Sequence, residues 1–234
     1  MAANFGTLQA KVSRKLIDSN QTAVAASTVQ EALNDALHYW KQKRFWFNEA
    51  QTYLTMDTSA ALDGSTISDK YVLGYGNTNS NFPSAPVLPQ NFLYEFEKDG
   101  FVILYSKLKY RFRKVPPATF DDTDVGGTGI PYIYCNRNGN YEFYFYPNLA
   151  YTLQVNYLMD QVDMVSPTDT NVFTANADRL LTYEALGHLM GEDRQDDKSG
   201  GGFFAFADRE YKLLKARSVR NIASGHISVD SILD

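Results

Sequence analysis

The hydrophobic pattern of the chain changes twice, and this limits the possible folds more than any other feature. Near the N-terminus, and again after Asn171, apolar residues recur at the spacing of an amphipathic helix. From Gln51 to Tyr157 that spacing disappears, and short runs of β-branched and aromatic residues alternate with Gly, Pro, Asn and Asp. The sequence therefore predicts helices at both ends and a β-rich segment between them.

Four helices are predicted from the apolar periodicity. Thr7 is the predicted N-cap of the first, and Thr28 and Glu31 form a predicted capping box at the start of the second. The third helix follows Asn171, and a break from Gly191 to Gly202 separates it from the fourth. The apolar face of the second helix consists of Val29, Ala32, Leu33, Ala36, Leu37 and Trp40.

Several strands and two long loops are predicted for the middle of the chain. Asn138-Gly139 predicts a tight hairpin turn, because this pair tolerates positive φ angles. The loops, Gly74–Pro89 and Pro116–Pro131, are rich in turn residues and are expected at the surface. The predicted strands are Gln51–Met56, Ile67–Leu73, Phe92–Phe96, Phe101–Tyr105, Lys107–Arg113, Tyr132–Asn136, Tyr141–Tyr146 and Thr152–Leu158.

Helices on either side of a β-rich segment are most simply arranged as one bundle with a sheet domain inserted into it. We therefore predict an α+β fold in which two N-terminal and two C-terminal helices, in residues 1–48 and 172–222, form the bundle. Residues 49–171 form an inserted antiparallel β-sheet domain, and residues 223–234 form an extended C-terminal tail.

The composition argues against several classes of function. A net charge of −5 is atypical of a general nucleic-acid binder. With Cys135 as its single cysteine, the chain has neither an internal disulfide nor a thiolate zinc site. No apolar window reaches the length of a membrane span. We expect no cofactor, metal or membrane partner.

Candidate catalytic residues are few. His38, His188 and His226 lie on three different predicted elements, and a structural role is favoured for each. Asp121-Asp-Thr-Asp124 has the oxygen ligands of a hard cation, but acidic residues in such a loop are usually solvated. Glu142, on an aromatic strand, could act as a general acid on a sugar, which would also require a second carboxylate. The protein is therefore predicted not to be an enzyme.

One predicted strand alternates cations with apolar residues. Lys107, Lys109, Arg111 and Arg113 occupy every second position and are predicted to share one face. That face could contact DNA phosphates or an acidic partner. Alternatively it is the solvated face of an edge strand, where cations prevent association between sheet edges. The second interpretation is favoured.

The C-terminal tail keeps four aliphatic residues in a polar background: Ile227, Val229, Ile232 and Leu233. It is either a disordered chain end or a segment that docks onto a sheet or groove of another chain. The spacing of the four residues favours docking.

Several short motifs follow one another along most of the chain. They are Thr28–Leu37, Arg44-Phe-Trp-Phe47, Leu88-Pro-Gln-Asn-Phe-Leu93, Pro131-Tyr-Ile-Tyr134, Tyr144-Phe-Tyr-Pro147, Asp169-Thr-Asn171 and Asp178-Arg-Leu-Leu181. In this order they resemble the head-to-tail adaptor proteins of tailed bacteriophages, also called connectors or tail accessory factors. Ser199-Gly-Gly-Gly202 departs from the usual form of that family.

The resemblance implies a structural function in the virion. Copies of the chain would form a ring, usually twelve-fold, below the portal protein. The ring would extend the channel for double-stranded DNA, without sequence specificity, and would carry the tail nozzle or other tail proteins. The chain would occupy the connector region of the virion, and the host cytoplasm during assembly.

The resemblance also gives roles to the residues singled out above. The four tail aliphatics would dock onto the portal, and the cations of the alternating strand would contact a neighbouring subunit or a tail protein. The chain has 16 Tyr, 15 Phe and 2 Trp, and aromatics on both faces of a strand exceed what one small core needs. Tyr141, Phe143 and Phe145 are predicted on one face of that strand, and Glu142, Tyr144 and Tyr146 on the other.

Tyr144 and Tyr146 would therefore contact a neighbouring subunit. The alternative function is a virion-associated, cell-wall-degrading enzyme acting on carbohydrate, or a carbohydrate-binding module. This alternative is based on the aromatic content and on Glu142.

Overall fold

The computed structural model describes residues 3–18, 24–56, 71–74, 87–123, 128–193 and 195–223. These residues form two compact units. The helical unit combines the chain up to Glu49 with the chain from Asp160 onward, and the β unit comprises the described part of Ala50–Met159. Helices and mainly antiparallel sheets are both present, so the predicted α+β class is confirmed.

The described residues contain six α-helices and eleven strands. The helices are α1 (Phe5–Asp18), α2 (Ala26–Trp40), α3 (Pro117–Asp121), α4 (Val172–Asn176), α5 (Asp178–His188) and α6 (Asp197–Ala223), with a π-helical turn at Leu189–Asp193. The strands are β1 (Glu49–Met56), β2 (Tyr71–Leu73), β3 (Phe92–Glu95), β4 (Phe101–Tyr105), β5 (Leu108–Arg111), β6 (Arg113–Lys114), β7 (Thr128–Gly129), β8 (Ile133–Arg137), β9 (Asn140–Tyr144), β10 (Tyr146–Pro147) and β11 (Tyr151–Met159). None of the helices among the described residues combines the length and the apolar composition of a membrane span.

The core of the helical unit forms around α5, which packs against α1, α2 and α6. Leu180, Leu181, Ala185 and Leu186 of α5 are fully buried. The six residues predicted as the apolar face of α2 are all buried as well, which confirms that prediction. Each helix therefore contributes an apolar stripe to one shared core.

Residues 160–171 belong to the helical unit, although the sequence pattern assigned them to the β-rich domain. Hydrogen bonds attach this segment to α1 and α2. The Asn34 amide donates to the Met164 carbonyl at 3.1 Å and accepts from the Met164 N–H at 2.9 Å. The Phe5 N–H donates to the Asp169 carbonyl at 2.9 Å. Because such bonds impose no hydrophobic period, the sequence carried no sign of this boundary.

Two helices begin earlier than predicted. The Asn4 side chain, rather than Thr7, caps α1, since Asn4 Oδ1 accepts from the Thr7 N–H at 2.9 Å. The second helix begins at Ala26 without a side-chain cap, so the predicted capping box of Thr28 and Glu31 is wrong. Alanine strongly favours helix, which explains why α2 extends upstream of the candidate cap.

The glycines at 200–202 lie inside α6 and do not interrupt it, contrary to the prediction. The Ser199 N–H donates to Asp196 Oδ1 at 3.1 Å, and hydrogen bonds from Ser199 lower the pKa of the Asp196 carboxyl. Gly200 is buried against the π-helical turn, where a Cβ would lie 3.0 Å from the Gly191 nitrogen. The absence of a Cβ at Gly200 permits this close approach of two backbone segments.

The β unit contains two main sheets. The first has the strand order β1-β11-β4-β5, with β3 also paired to β11. The second has the order β2-β9-β8-β6, in which β6 and β8 are parallel and the other pairs are antiparallel. The Asn138-Gly139 turn between β8 and β9 has φ angles of 52° and 82°, which confirms the predicted hairpin.

The second sheet is buried on both of its faces. Tyr134, Tyr141 and Phe143 face the larger core of the β unit, and Ile133, Cys135 and Tyr144 form a smaller core with Val115 and with Phe120 of α3. Phe145 packs against the smaller core, so its predicted position on the face of Tyr141 and Phe143 is wrong. The alternation stops because β9 ends at Tyr144. The smaller core thus accounts for Tyr144, which the sequence interpretation had assigned to a subunit contact.

The structure describes one of the two predicted loops more fully than the other. Pro116–Pro131 contains α3 and β7, and the buried Phe120 anchors α3 to the sheet. Within Gly74–Pro89, residues 75–86 lie outside the described residues, and Gly74 forms a bridge with Val87. Residues 67–70 of one predicted strand also lie outside them.

Alanine substitution of two adjacent glycines tests the packing of α6. Gly200→Ala is expected to lower the free energy of unfolding by about 1–3 kcal/mol, because the new methyl group meets backbone atoms that cannot rotate away. Gly201→Ala is the matched control: no atom lies within 4 Å of its Cβ, and the gain in helix propensity should raise stability by about 0.5–1 kcal/mol. Urea unfolding measures both, and equal stabilisation by the two substitutions would contradict the close approach at Gly200.

Candidate interaction surfaces

The four cations of the predicted alternating strand do not lie on one strand. Lys107 occupies the turn before β5 with a φ of 65°, and only Lys109 and Arg111 lie on β5. The buried Phe112 follows, and Arg113 then pairs in β6 with β8 of the other sheet. The prediction of one continuous cationic face is therefore wrong, because the chain passes from one sheet to the next at Phe112.

The strand β5 lies at the edge of its sheet. Arg111 Nε lies 2.8 Å from Asp99 Oδ1, so part of its charge is neutralised within the unit. Leu108 is 57% exposed, and Lys109 is exposed beside it. The position of β5 therefore agrees with the interpretation as a solvated edge strand. Its exposed Leu108 is also accessible to a partner protein.

The two tyrosines predicted to contact a neighbouring subunit differ in exposure. Tyr144 is only 5% exposed and packs against Phe120, which leaves little of it for a partner. Tyr146, on β10, is half-buried. Other large apolar side chains of the β unit are considerably more exposed: Tyr53, Val87, Tyr94, Tyr105, Leu108, Tyr132 and Leu149. Sequence alternation missed this set because it separates the two faces of a strand without showing which face is covered.

A buried carboxylate that the sequence did not reveal lies in the β unit. Glu95, on β3, is 6% exposed. It accepts hydrogen bonds from Lys114 Nζ at 2.8 Å, from the Tyr134 hydroxyl at 3.2 Å and from the Tyr141 hydroxyl at 2.5 Å. Burial, and then the negative charge of Glu95, raise the pKa of both phenols, so they remain protonated and donate. The carboxylate therefore links β3 in the first sheet to β6, β8 and β9 in the second.

A pocket of about 290 Å³ opens beside this carboxylate. Its lining residues are Leu93, Tyr94, Glu95, Lys114, Asn136, Gly139 and Tyr141. Because Lys114 and the phenols already satisfy Glu95, this group stabilises the β unit and does not offer an uncompensated charge to a ligand. A single acidic residue inside the apolar run Phe92–Phe96 was the one sequence signal that could have revealed it.

Glu142, considered for catalysis, and Asp121, the first residue of the acidic cluster considered for metal binding, both contact one arginine. Arg137 Nε lies 3.1 Å from Glu142 Oε1, and Arg137 Nη2 lies 2.6 Å from Asp121 Oδ1. The hydrogen bond to Asp121 and the charge of Glu142 raise the pKa of Arg137. Asp124 lies outside the described residues. In the part of the chain that the structure describes, no three His, Cys, Asp or Glu side chains converge as metal ligands would.

The histidines have separate surroundings. His38 Nε2 lies 2.6 Å from Asp163 Oδ1 at the surface of the helical unit. His188 Nε2 lies 3.6 Å from Glu184 Oε1, and its ring packs edge-on against Phe204. His226 lies outside the described residues.

Two exposed surfaces of the helical unit carry opposite charge. The outward side of α6 presents five cations and two half-exposed apolar residues: Arg209, Lys212, Lys215, Arg217, Arg220, Phe206 and Leu213. The outward side of α2 and the segment beside it present Glu31, Asp35 and Asp163 with the exposed Tyr39 and Val162. The sequence revealed the cations of α6, but not an acidic surface built from segments that lie far apart in the chain. The predicted docking residues Ile227, Val229, Ile232 and Leu233 lie outside the described residues.

The hydrogen bond from Tyr141 to Glu95 should make a measurable contribution to stability. Tyr141→Phe removes one donor to a buried carboxylate and is expected to lower the free energy of unfolding by about 1.5–3 kcal/mol. Tyr105→Phe is the control, because Tyr105 is 37% exposed and is expected to change stability by less than about 0.5 kcal/mol. Thermal or urea unfolding measures the stability of both variants. Equal losses of stability would mean that the hydrogen bond from Tyr141 to Glu95 adds no more than an exposed hydroxyl group does.

Comparison with known proteins agrees with the resemblance seen in the sequence. The family model described as SU10 adaptor protein matches residues 3–228, which is nearly the whole chain. This is a family of phage head-to-tail adaptors, so membership supports a structural role in the virion through contacts with other head and tail proteins. No curated protein matches the chain. The chain belongs to the SU10 adaptor protein family.

Proposed function

We propose that the chain forms a ring below the portal protein of a tailed bacteriophage. The observation that carries this proposal is the family match over residues 3–228. The ring, of about twelve copies, extends the channel for double-stranded DNA and provides the platform on which the tail nozzle or other tail proteins attach. It belongs to the connector region of the virion and passes through the host cytoplasm during assembly.

In this proposal the helical unit is the bundle domain and the β unit is the domain inserted into it. The exposed aromatic and aliphatic side chains of the β unit support a role in protein contacts, since Tyr in particular suits interfaces. Tyr146 and the cations Lys107, Lys109, Arg111 and Arg113 remain proposed contacts to a neighbouring subunit or a tail protein. The buried Tyr144 is removed from that set.

The charge of the chain is compatible with a DNA channel. A net charge of −5 disfavours tight binding of phosphates, which would stop DNA from sliding. The C-terminal tail, with Ile227, Val229, Ile232 and Leu233, is proposed to dock onto the portal.

Electron microscopy of the chain mixed with its portal protein tests the ring. Negative-stain images are expected to show an added ring of density on one end of the portal particle, with the same rotational symmetry axis. Portal particles without added density, at protein concentrations where both components stay soluble, would contradict the proposal. The portal alone is the control.

Substitutions in the tail test its docking. Ile227→Asp combined with Leu233→Asp is expected to weaken portal binding by roughly a hundredfold or more, because each aliphatic side chain buried is worth about 1.5–3 kcal/mol. Ser228→Asp combined with Ser231→Asp adds the same charge without removing an aliphatic group and should bind nearly as the wild type does. Affinity is measured by biolayer interferometry on immobilised portal. Equal affinities of the two variants would mean that the tail does not dock through its aliphatic residues.

A further inference from the structure

We propose that neighbouring copies meet through two surfaces of the helical unit, the basic surface of one copy against the acidic surface of the next. The basic surface consists of Phe206, Arg209, Leu213, Arg217 and Arg220 on α6. The acidic surface consists of Glu31, Asp35 and Tyr39 on α2 with Val162 and Asp163 beside them. This inference rests on the proposed ring and names the contact that would build it.

The basic surface is the side of α6 that faces away from the core. The buried residues Ala207, Leu214 and Ser218 define the inner stripe of this 27-residue helix. Phe206, Arg209, Leu213, Ala216 and Arg220 follow one another at steps of three and four, so they form a second stripe on the opposite side. Phe206 is 50% exposed and Leu213 is 49% exposed. Phe206 packs on one side against Tyr183 of α5, with 5.5 Å between the ring centroids, so its own unit covers this outward face only in part.

The charge of this face is unusual for the chain. Between Arg209 and Arg220 there are five cations and one anion, Glu210, whereas the whole chain has a net charge of −5. Lys212 pairs with Asp208 at 2.6 Å. Among the described residues, Arg209, Arg217 and Arg220 have no ion-pair partner. Their charge is therefore available to a partner.

The acidic surface combines α2 with the segment that follows the β unit in the chain. Glu31 and Asp35 lie one turn apart on the exposed side of α2, and Tyr39, a further turn along, is 50% exposed. Bonds between Asn34 and Met164 hold residues 160–165 alongside this helix. That segment adds Asp163, paired with His38, and Val162, which is 82% exposed. Two cations border the surface: Lys43 lies over the Tyr39 ring, and Lys41 pairs with Asp160 at 2.7 Å.

The two surfaces match in chemistry and lie at different places on one unit. Each mixes charge with half-exposed apolar groups, and the charges are of opposite sign. The core-facing sides of α2 and α6 pack against α5 and, through Trp40 and Tyr211, against each other, whereas both surfaces lie on the exposed sides of their helices. A contact between two different surfaces of identical chains is heterologous, and repetition of such a contact closes into a ring when its rotation permits. A second copy of the chain therefore satisfies both surfaces at once.

DNA is the other polyanion that the basic surface could contact. Phosphate contacts need cations and polar groups, but they leave the exposed halves of Phe206 and Leu213 uncovered. An acidic surface that includes Tyr39 and Val162 covers the charges and the apolar groups together. This difference favours a second copy as the occupant.

Charge reversal on either surface tests the contact. The first variant carries Glu31→Lys and Asp35→Lys, and the second carries Arg209→Glu and Arg217→Glu. Each variant alone places like charges together, so the ring is expected to be lost and self-association weakened by roughly a hundredfold or more. A 1:1 mixture should restore particles in which the two variants alternate. One chain that carries all four substitutions should also restore them, whatever the number of copies.

A control variant separates surface-specific effects from the change in net charge. Arg14→Glu with Lys98→Glu reverses two exposed cations, one on α1 and one in the turn between β3 and β4, and makes the same change in net charge as the second variant. It should form rings as the wild type does. Assembly is followed by analytical ultracentrifugation and negative-stain imaging, alone or, if the wild type forms rings only on its portal, with the portal present. Circular dichroism confirms that each variant is folded.

The outcomes distinguish this contact from the proposed ring itself. Rings that persist in either single variant, or that fail to return in both the mixture and the four-substitution chain, would overturn the contact while the adaptor function stands. Intact rings with weakened binding of a DNA duplex in the Arg209 and Arg217 variant would assign the basic surface to DNA instead. A wild-type chain that forms no ring, alone or on the portal, would overturn the proposed function and this inference with it.

Discussion

Burial of α5 is the interaction on which the whole helical unit depends. Its side chains are covered by α1 and α2 from one end of the chain and by α6 from the other. A helix of eleven residues is marginal in water by itself, so α5 is stabilised by this packing rather than by its own propensity. Because more than one hundred residues separate α2 from α5, the unit must close a long loop before its core forms, which favours slow folding.

Apolar periodicity predicted the faces of the helices better than their ends. The buried face of α2 follows directly from the spacing of its apolar residues. Six apolar residues at helical intervals lie on one side of a helix, and that side must face the core. The ends depend on single hydrogen bonds, and Asn4, Thr7 and Thr28 are all chemically able to cap a helix. The glycines at 200–202 were assigned to a break, because low propensity was visible in the sequence and the close contact with Gly191 was not.

In the β unit, alternation separates the two faces of each strand but does not say which sheet a strand joins. The chain leaves the first sheet at Phe112 and enters the second at Arg113, which divides a run of alternating residues between two surfaces. The carboxylate of Glu95 then connects the sheets through Lys114, Tyr134 and Tyr141. These contacts join residues that are distant in the sequence, so the hydrogen-bond cluster around Glu95 could not be predicted from local pattern. The exposed apolar side chains of the β unit could not be predicted either, because alternation does not show which face of a strand is covered. The family, in contrast, was visible in the order of short motifs.

The close packing of α6 at Gly200 has a geometric consequence for assembly. It constrains the tilt of α6 against the rest of the unit, and with it the angle between the outward faces of α2 and α6. If copies join through those faces, that angle sets the rotation from one copy to the next, and rings of twelve and thirteen differ by only about two degrees per step. Copy number would then depend on a buried backbone contact inside the subunit rather than on the chemistry of the surfaces that meet.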